Sequence, residues 1–324
     1  MPRYWMVSDR DVSKDGLGGN EGGLSWWTSE GGDLSRFASW TKVSAAQFRK
    51  ALAGATGTFP VLAPGQDHTA QQHLCLYVHG YDNSWDEAAA RYQRICGELF
   101  EARGLGLCVL FTWPSKGHAM EYLPDRADAV ASAPDLADLL RMLYDWMAVK
   151  QLQAAKDPAQ ACRAKTSIIA HSMGNFVLQK AMQSAWTRKN RPMLVSLVNQ
   201  LLMVAADVDN DLFGSGEAQT GSDGDAIANL CYRVTALYTG RDPILGMSAG
   251  LKHFGKRRLG RSGLDASLPV PDNVWAVDCS GLIPADASNI HSAYFESPKV
   301  MALMAEVLQG LDRKVIQSQP PLLG

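Results

Sequence analysis

The stretch Ile168-Ile169-Ala170-His171-Ser172-Met173-Gly174-Asn175-Phe176 decides the fold. An apolar run of strand length stops at Ser172, and a helical pattern through Phe176, Val177 and Ala181 begins just beyond it. A serine on so sharp a strand-to-helix turn has its hydroxyl pushed out above the rim of the sheet. The helix N-terminus then aims free backbone N–H groups at whatever that hydroxyl attacks. Strand and helix pass too closely there for large side chains, so small residues are needed two positions before and two after the serine. Ala170 and Gly174 occupy those positions. A serine that merely capped a helix would need neither flank, and the set predicts Ser172 as a nucleophile.

Working outward, the same strand-then-helix rhythm recurs. His73 to Val78 is an apolar run ending in His79-Gly80. Ser84-Trp85-Asp86-Glu87 then forms a capping box, followed by one apolar helical face at Tyr92, Ile95, Cys96, Leu99 and Phe100, with Gly104 placed to stop it. Leu107 to Thr112 predicts the next strand, and Leu136, Leu139, Leu140, Leu143 and Met147 stripe the next helix. Thr166–Ala170, Leu201–Ala206, Arg233–Tyr238 and Val274–Val277 are further strands. A last helix is entered at Ser297-Pro298 and closed by Gly310. Strands apolar on both faces, alternating with amphipathic helices, predict an α/β fold with a mostly parallel central sheet flanked by helices. Right-handed crossovers bring every strand's C-terminal end to one rim, where functional residues gather.

Residues 1–72 differ in character. Tyr4–Val7 and Leu24–Thr28 are aromatic-rich and flank a glycine-rich loop, which predicts two short antiparallel strands followed by a helix entered at Ser44. Trp5, Trp26, Trp27 and Trp40 fit packing anchors better than a ligand box. The expected organisation is one domain over 1–324, an N-terminal extension (1–72) packed on a catalytic core (73–310).

A nucleophilic serine needs a base and a group to orient it. In this architecture they follow in the order serine, acid, histidine, on turns after later strands. His291 lies beyond the last strand and before the last helix. Asp242 ends the run Tyr238-Thr239-Gly240-Arg241-Asp242 after one strand and is the first choice for the acid, while Asp207 and Asp209, after the preceding strand, compete. The backbone N–H of Met173, next to the nucleophile, and that of Tyr81, in the loop where Gly80 lets the backbone approach, are the expected oxyanion donors. His79, Gly80, His171, Gly174 and Asp207 are expected around these groups rather than at the reacting atoms.

Composition removes other classes. Of 324 residues, 46% are hydrophobic and 20% charged, enough for a sizeable core and far from a disordered chain. Thirty-one basic against 33 acidic residues leave a net charge of −2, which gives no bulk attraction to nucleic acid. No apolar run reaches the length of a membrane span, and no secretory leader pattern opens the chain. The six cysteines are scattered without a C-x-x-C, which predicts reduced thiols in a cytoplasmic protein. Asp207, Asp209 and Asp211 alternate as in a calcium loop but lack its glycine and terminal glutamate. No zinc, phosphate or dinucleotide signature is present, so neither metal nor cofactor is expected. The basic run 252–261 is expected to be a solvated loop near the site mouth.

Taken together, Tyr77-Val78-His79-Gly80-Tyr81, Phe111-Thr112-Trp113-Pro114-Ser115, Ala170-His171-Ser172-Met173-Gly174-Asn175, Asp242 and His291-Ser292-Ala293-Tyr294-Phe295 resemble the α/β-hydrolase superfamily, more narrowly its bacterial branch of unknown function. The resemblance covers about residues 73–310. It implies a serine hydrolase and no particular substrate. The leading expectation is cleavage of small-molecule carboxylic esters through an acyl-enzyme. Alternatives are acyl transfer or amide or thioester cleavage on the same residues, and a catalytically silent binding protein on this scaffold. Acyl-chain length, oligomeric state and the role of residues 1–72 are not legible.

Overall fold

The structure is a computed structural model, and it describes residues 2–62, 65–115, 122–157, 160–185, 197–214, 223–252 and 255–319. In chain order the main elements are β1 (Tyr4–Val12), β2 (Leu17–Ser29), β3 (Thr41–Val43), α1 (Ala45–Thr56), β4 (His73–Val78), α2 (Trp85–Ile95), β5 (Gly106–Thr112) and α3 (Tyr122–Lys156). They continue with β6 (Lys165–His171), α4 (Gly174–Ala185), β7 (Val198–Val204), α5 (Asp223–Leu230), β8 (Cys231–Tyr238), α6 (Pro243–Met247), α7 (Leu259–Ser262), β9 (Val274–Asp278), α8 (Pro298–Gln309) and α9 (Arg313–Gln317).

Among the described residues the strands form one nine-stranded sheet in the order β3-β2-β1-β5-β4-β6-β7-β8-β9. From β1 to β9 every neighbouring pair is parallel, and only β1–β2 and β2–β3 are antiparallel. The sheet is buried on both faces because side chains alternate along each strand. Leu74, Leu76, Val78, Ile168, Ala170, Leu201 and Met203 join one core with Phe48, Leu136, Leu140, Val177 and Ala181. Cys75, Tyr77, Ile169, Leu202 and Val204 join the other with Tyr92, Leu99, Val300 and Met304. The helix entrances are built as their residues predict. Ser44 and Ser84 each accept from the third helical N–H, and Gln47 and Glu87 return the bond to the cap N–H. Ser297 caps α8, with Pro298 in its first turn and Gly310 in the left-handed conformation at its end.

The structure adds to expectation at both ends of the chain. The N-terminal strands are long, 9 and 13 residues. They also join the main sheet, since β1 runs parallel beside β5 with Trp5 opposite Val109 and Ser8 opposite Thr112. The helix after Ser84 continues past α2 to Glu101, as the face through Cys96, Leu99 and Phe100 predicts, with a wider turn over Cys96–Glu101, before Gly104 turns the chain at φ +65°. The chain also adds α9 after Gly310, and α5, α6 and α7 are too short for their periodicity to have shown. All six cysteines are free, five of them buried. Trp5, Trp26, Trp27 and Trp40 are buried in the two cores. Among the described residues no helix is long and apolar enough to cross a membrane.

Candidate active site

Ser172 follows the last residue of β6, and one residue, Met173, separates it from α4. Its φ is +52°, in the left-handed region that a side chain adopts at a cost of about 1–2 kcal/mol. The neighbouring backbone holds it there. Ser172 N–H donates to Val204 O (2.9 Å), Asp207 N–H donates to Ser172 O (3.1 Å), and the Asn175 side chain donates to Ala170 O (2.9 Å) and Ser172 O (3.1 Å). The small flank is a steric requirement: a Cβ on Gly174 would lie 2.3 Å from His79 O. Gly80 meets the same limit from the other side, because a Cβ there would lie 2.7 Å from Ser172 Cβ. The loop after β4 is thus pressed against Ser172.

His291 comes from the connection between β9 and α8, and Asp242 from the turn after β8. His291 Nε2 lies 2.8 Å from Ser172 Oγ, and Nδ1 lies 2.6 Å from Asp242 Oδ2. With Nδ1–H donating to the carboxylate, Nε2 is left as an acceptor toward the serine. The other oxygen of Asp242, Oδ1, accepts from Leu245 N–H (3.0 Å), so the carboxylate also caps α6 and cannot rotate freely. Ser172, Asp242 and His291 are all buried.

Asp207 is bound elsewhere. Its Oδ1 accepts from Arg258 Nε (2.8 Å) and Ser248 Oγ (2.9 Å). Arg258 is fully buried and donates to Asp209 as well, while Lys256 Nζ lies 3.3 Å from Asp209 Oδ2. Asp207 and Asp209 therefore neutralise protein cations, and among the described residues no group of three or more His, Cys, Asp or Glu is placed to hold a metal ion. Of the basic run 252–261, residues 253 and 254 lie outside the described set. Gly255, Lys256 and Arg257 are exposed, as a solvated loop would be, whereas Arg258, Leu259 and Gly260 are buried, which corrects the expectation for that half of the run.

Two further histidines lie beside these groups. His171 stacks at an angle on His291, centroids 5.0 Å apart, and its Nε2–H donates to His291 O (3.1 Å). Burial first, then the neighbouring His291 and Arg91, hold its imidazole well below the usual range, so it is neutral. His79 lies flat on Trp113, donates from Nδ1 to Gly80 O (2.8 Å) and accepts at Nε2 from Trp113 N–H (3.1 Å). Burial and the nearby Arg10 likewise keep it neutral.

Sequence reasoning passed over the residues that hold the β4 loop. Asn83 donates to Gly80 O (3.2 Å) and Tyr81 O (2.6 Å), and its Oδ1 accepts from Arg91 Nη1 (2.8 Å). Arg91 Nη2 donates to Ser292 Oγ (3.2 Å), beside His291. No motif marks either residue, because a single amide or guanidinium has no spacing to detect. A cleft of about 750 Å³ opens next to these groups, lined by Tyr81, Asn83, Arg91, Ile244, His291 and Phe295 among others.

A parallel sheet with a strained serine between strand and helix, and an acid and a histidine on two later turns, defines an α/β hydrolase. The family model described as "Alpha/beta hydrolase of unknown function" matches residues 65–308, and the chain belongs to that family. No curated protein matches it. Among solved structures it is similar to an esterase of Pyrobaculum calidifontis, at 13% identity and a TM-score of 0.36 over 82% of this chain and 91% of that one. It is also similar to lipase B of Aspergillus fumigatus, at 14% identity and a TM-score of 0.39 over 91% of this chain and 66% of that one. Phospholipase PlaB of Legionella pneumophila, in complex with thio-NAD, gives 13% identity and a TM-score of 0.39 over 76% of this chain, which spans 60% of the phospholipase.

Proposed function

We propose that this chain is a serine hydrolase that cleaves small-molecule carboxylic esters through an acyl-enzyme. The observation that carries the reading is the unbroken line from Asp242 Oδ2 through both nitrogens of His291 to Ser172 Oγ. Ser172 Oγ attacks the ester carbon as its proton passes to His291 Nε2, and Asp242 stabilises the imidazolium that forms. The oxyanion of the tetrahedral intermediate is met by the N–H groups of Met173 and Tyr81, two fixed donors of a kind each worth about 3 kcal/mol of barrier. Collapse breaks the bond to the alcohol, which leaves with the proton from Nε2. Water then attacks the acyl-enzyme, gives its proton to Nε2, and Ser172 is regenerated as the acid departs. His79 and His171, held neutral, add no charge that would compete with His291 for the serine proton.

A fluorophosphonate probe tests the reading directly. The expected result is one equivalent bound per chain, on Ser172, in native but not heat-unfolded protein. A panel of nitrophenyl esters, amides and thioesters then separates the reaction classes, with turnover expected on the esters. Folded protein that takes up no probe and turns over no ester would mark a binding protein on a hydrolase scaffold.

A further inference from the structure

The geometry points to Arg10, in the N-terminal hairpin, as a positioning residue that sets the oxyanion-binding loop after β4. This inference rests on the serine-hydrolase reading above. It gives residues 1–72 a part in the chemistry, although the match to the family begins only at residue 65.

Arg10 lies two residues past Ser8, the last residue of β1 paired with β5. The β1–β2 register shifts on either side of it, between Ser8 and Arg10 and again between Arg10 and Val12. Such irregularities re-aim a side chain, and they recur beside functional sites. Here the guanidinium is turned over the C-terminal end of β5 and spans two loops. Nε donates to Thr112 Oγ1 (2.9 Å), Nη1 to Ser115 O (3.2 Å) and Gly18 O (3.1 Å), and Nη2 to Asn83 O (3.0 Å). The group is 1% exposed, its acceptors are one hydroxyl and three carbonyl oxygens, and the carboxylates of Asp9, Asp125, Asp11 and Asp86 act on it through space. A buried cation satisfied by main-chain carbonyls is costly to maintain for packing alone, since a hydrophobic side chain of similar volume would serve that purpose better.

Asn83 is the point of transfer. Its carbonyl is held by Arg10, its N–H donates to Ser115 Oγ (3.3 Å), its Oδ1 is held by Arg91, and its Nδ2 holds the carbonyls of Gly80 and Tyr81. Every polar group of the residue is used. The peptide orientation at Gly80 and Tyr81, and with it the direction of the Tyr81 N–H, is fixed through Asn83 to a side chain that enters from β1. Small displacements at such a donor are expensive because its charge stabilisation is realised only in the transition state.

The test is Arg10→Lys, which keeps the charge but cannot reach four acceptors from one point. Kinetics on p-nitrophenyl acetate are normalised to sites titrated with the fluorophosphonate. The expected result is a kcat lower by about a hundredfold with KM changed less than about threefold. Affinity for a boronic acid, which forms a tetrahedral adduct on Ser172, should fall with kcat. A residue that served only stability would lower the melting temperature and leave kcat per titrated site and boronate affinity unchanged. That outcome overturns the inference. Should Arg10→Lys fail to fold, Asn83→Asp decides, because it removes the donors to Gly80 and Tyr81 while keeping the acceptor for Arg91. The same split is expected, and unchanged kcat overturns the inference. Arg3→Gln, which removes an exposed ion pair with Glu101 just before β1 begins, is the control expected to match the unaltered protein. Wild-type protein that fails to react with the probe at all removes the hydrolase reading itself, and this inference with it.

Discussion

Ser172→Ala is expected to lower ester turnover by about four to six orders of magnitude while leaving the fold in place. The hydroxyl makes one side-chain bond, to His291, and its loss leaves the main-chain bonds that hold the turn untouched. Alanine at φ +52° is no more strained than serine there, so the melting temperature should stay within about 4 °C. His291→Ala should cost a similar factor, and the double variant little more than either single one, because the two residues act as a unit. Residual turnover above about one per cent in Ser172→Ala, in a preparation that no longer binds the fluorophosphonate, would sink the assignment.

The second large effect separates the two aspartates. Asp242→Asn should reduce kcat by about ten-thousandfold. The direction follows from the cap on α6. Asp242 Oδ1 accepts from Leu245 N–H, so an asparagine keeps that bond by placing its carbonyl oxygen there. Its amide N–H₂ must then face His291 Nδ1, which becomes an acceptor. The ring proton moves to Nε2, and no lone pair is left for Ser172. Asp207→Asn acts on a different quantity. It weakens the partner of the fully buried Arg258, a loss of up to about 3–5 kcal/mol in stability, and leaves the Asp207 N–H that supports Ser172 O in place. Turnover numbers and melting curves of the two variants, compared side by side, test this. If Asp207→Asn is the inactive but stable variant, the acid follows β7 and not β8.

The parts of the fold legible in the sequence are those where one local signal suffices. The short apolar run from His73 to Val78 marked β4 to the residue, and Ser84 with Glu87 marked the entrance of α2. Around Ser172 the small flanks have a steric cause that acts within five residues, which is why the turn could be anticipated. Its proximity to Asp242 and His291 could be expected only through the topology, since parallel crossovers bring the turns after β6, β8 and β9 to one rim. The insertion of β1 beside β5 has no such signal. Pairing between Trp5 and Val109 is long-range, and two aromatic strands flanking a glycine loop read the same whether they form a free hairpin or part of the main sheet. Arg10, Asn83 and Arg91 were illegible for a related reason: Arg10 and Asn83 owe their place largely to main-chain carbonyls, which carry no sequence, and Arg91 to two side chains, Asn83 and Ser292, at unpatterned spacings. The basic run around Arg258 misled because charge suggests solvent, while the partners that bury it, Asp207 and Asp209, lie far back in the chain.

The position of β1 bears on how this protein can be shortened. A chain begun at Gly65, where the family match starts, would lack β1 to β3 and leave β5 at the margin of the sheet. Val109, Leu110, Phe111 and Thr112 would then present unpaired backbone groups on an apolar strand, and such strands recruit other chains. The carbonyls of Asn83 and Ser115 would lose their donor in the same step. Such a fragment is expected to aggregate rather than fold, which sedimentation of the expressed protein would show. A soluble minimal unit therefore has to carry the hairpin, or a substitute strand designed to cover β5.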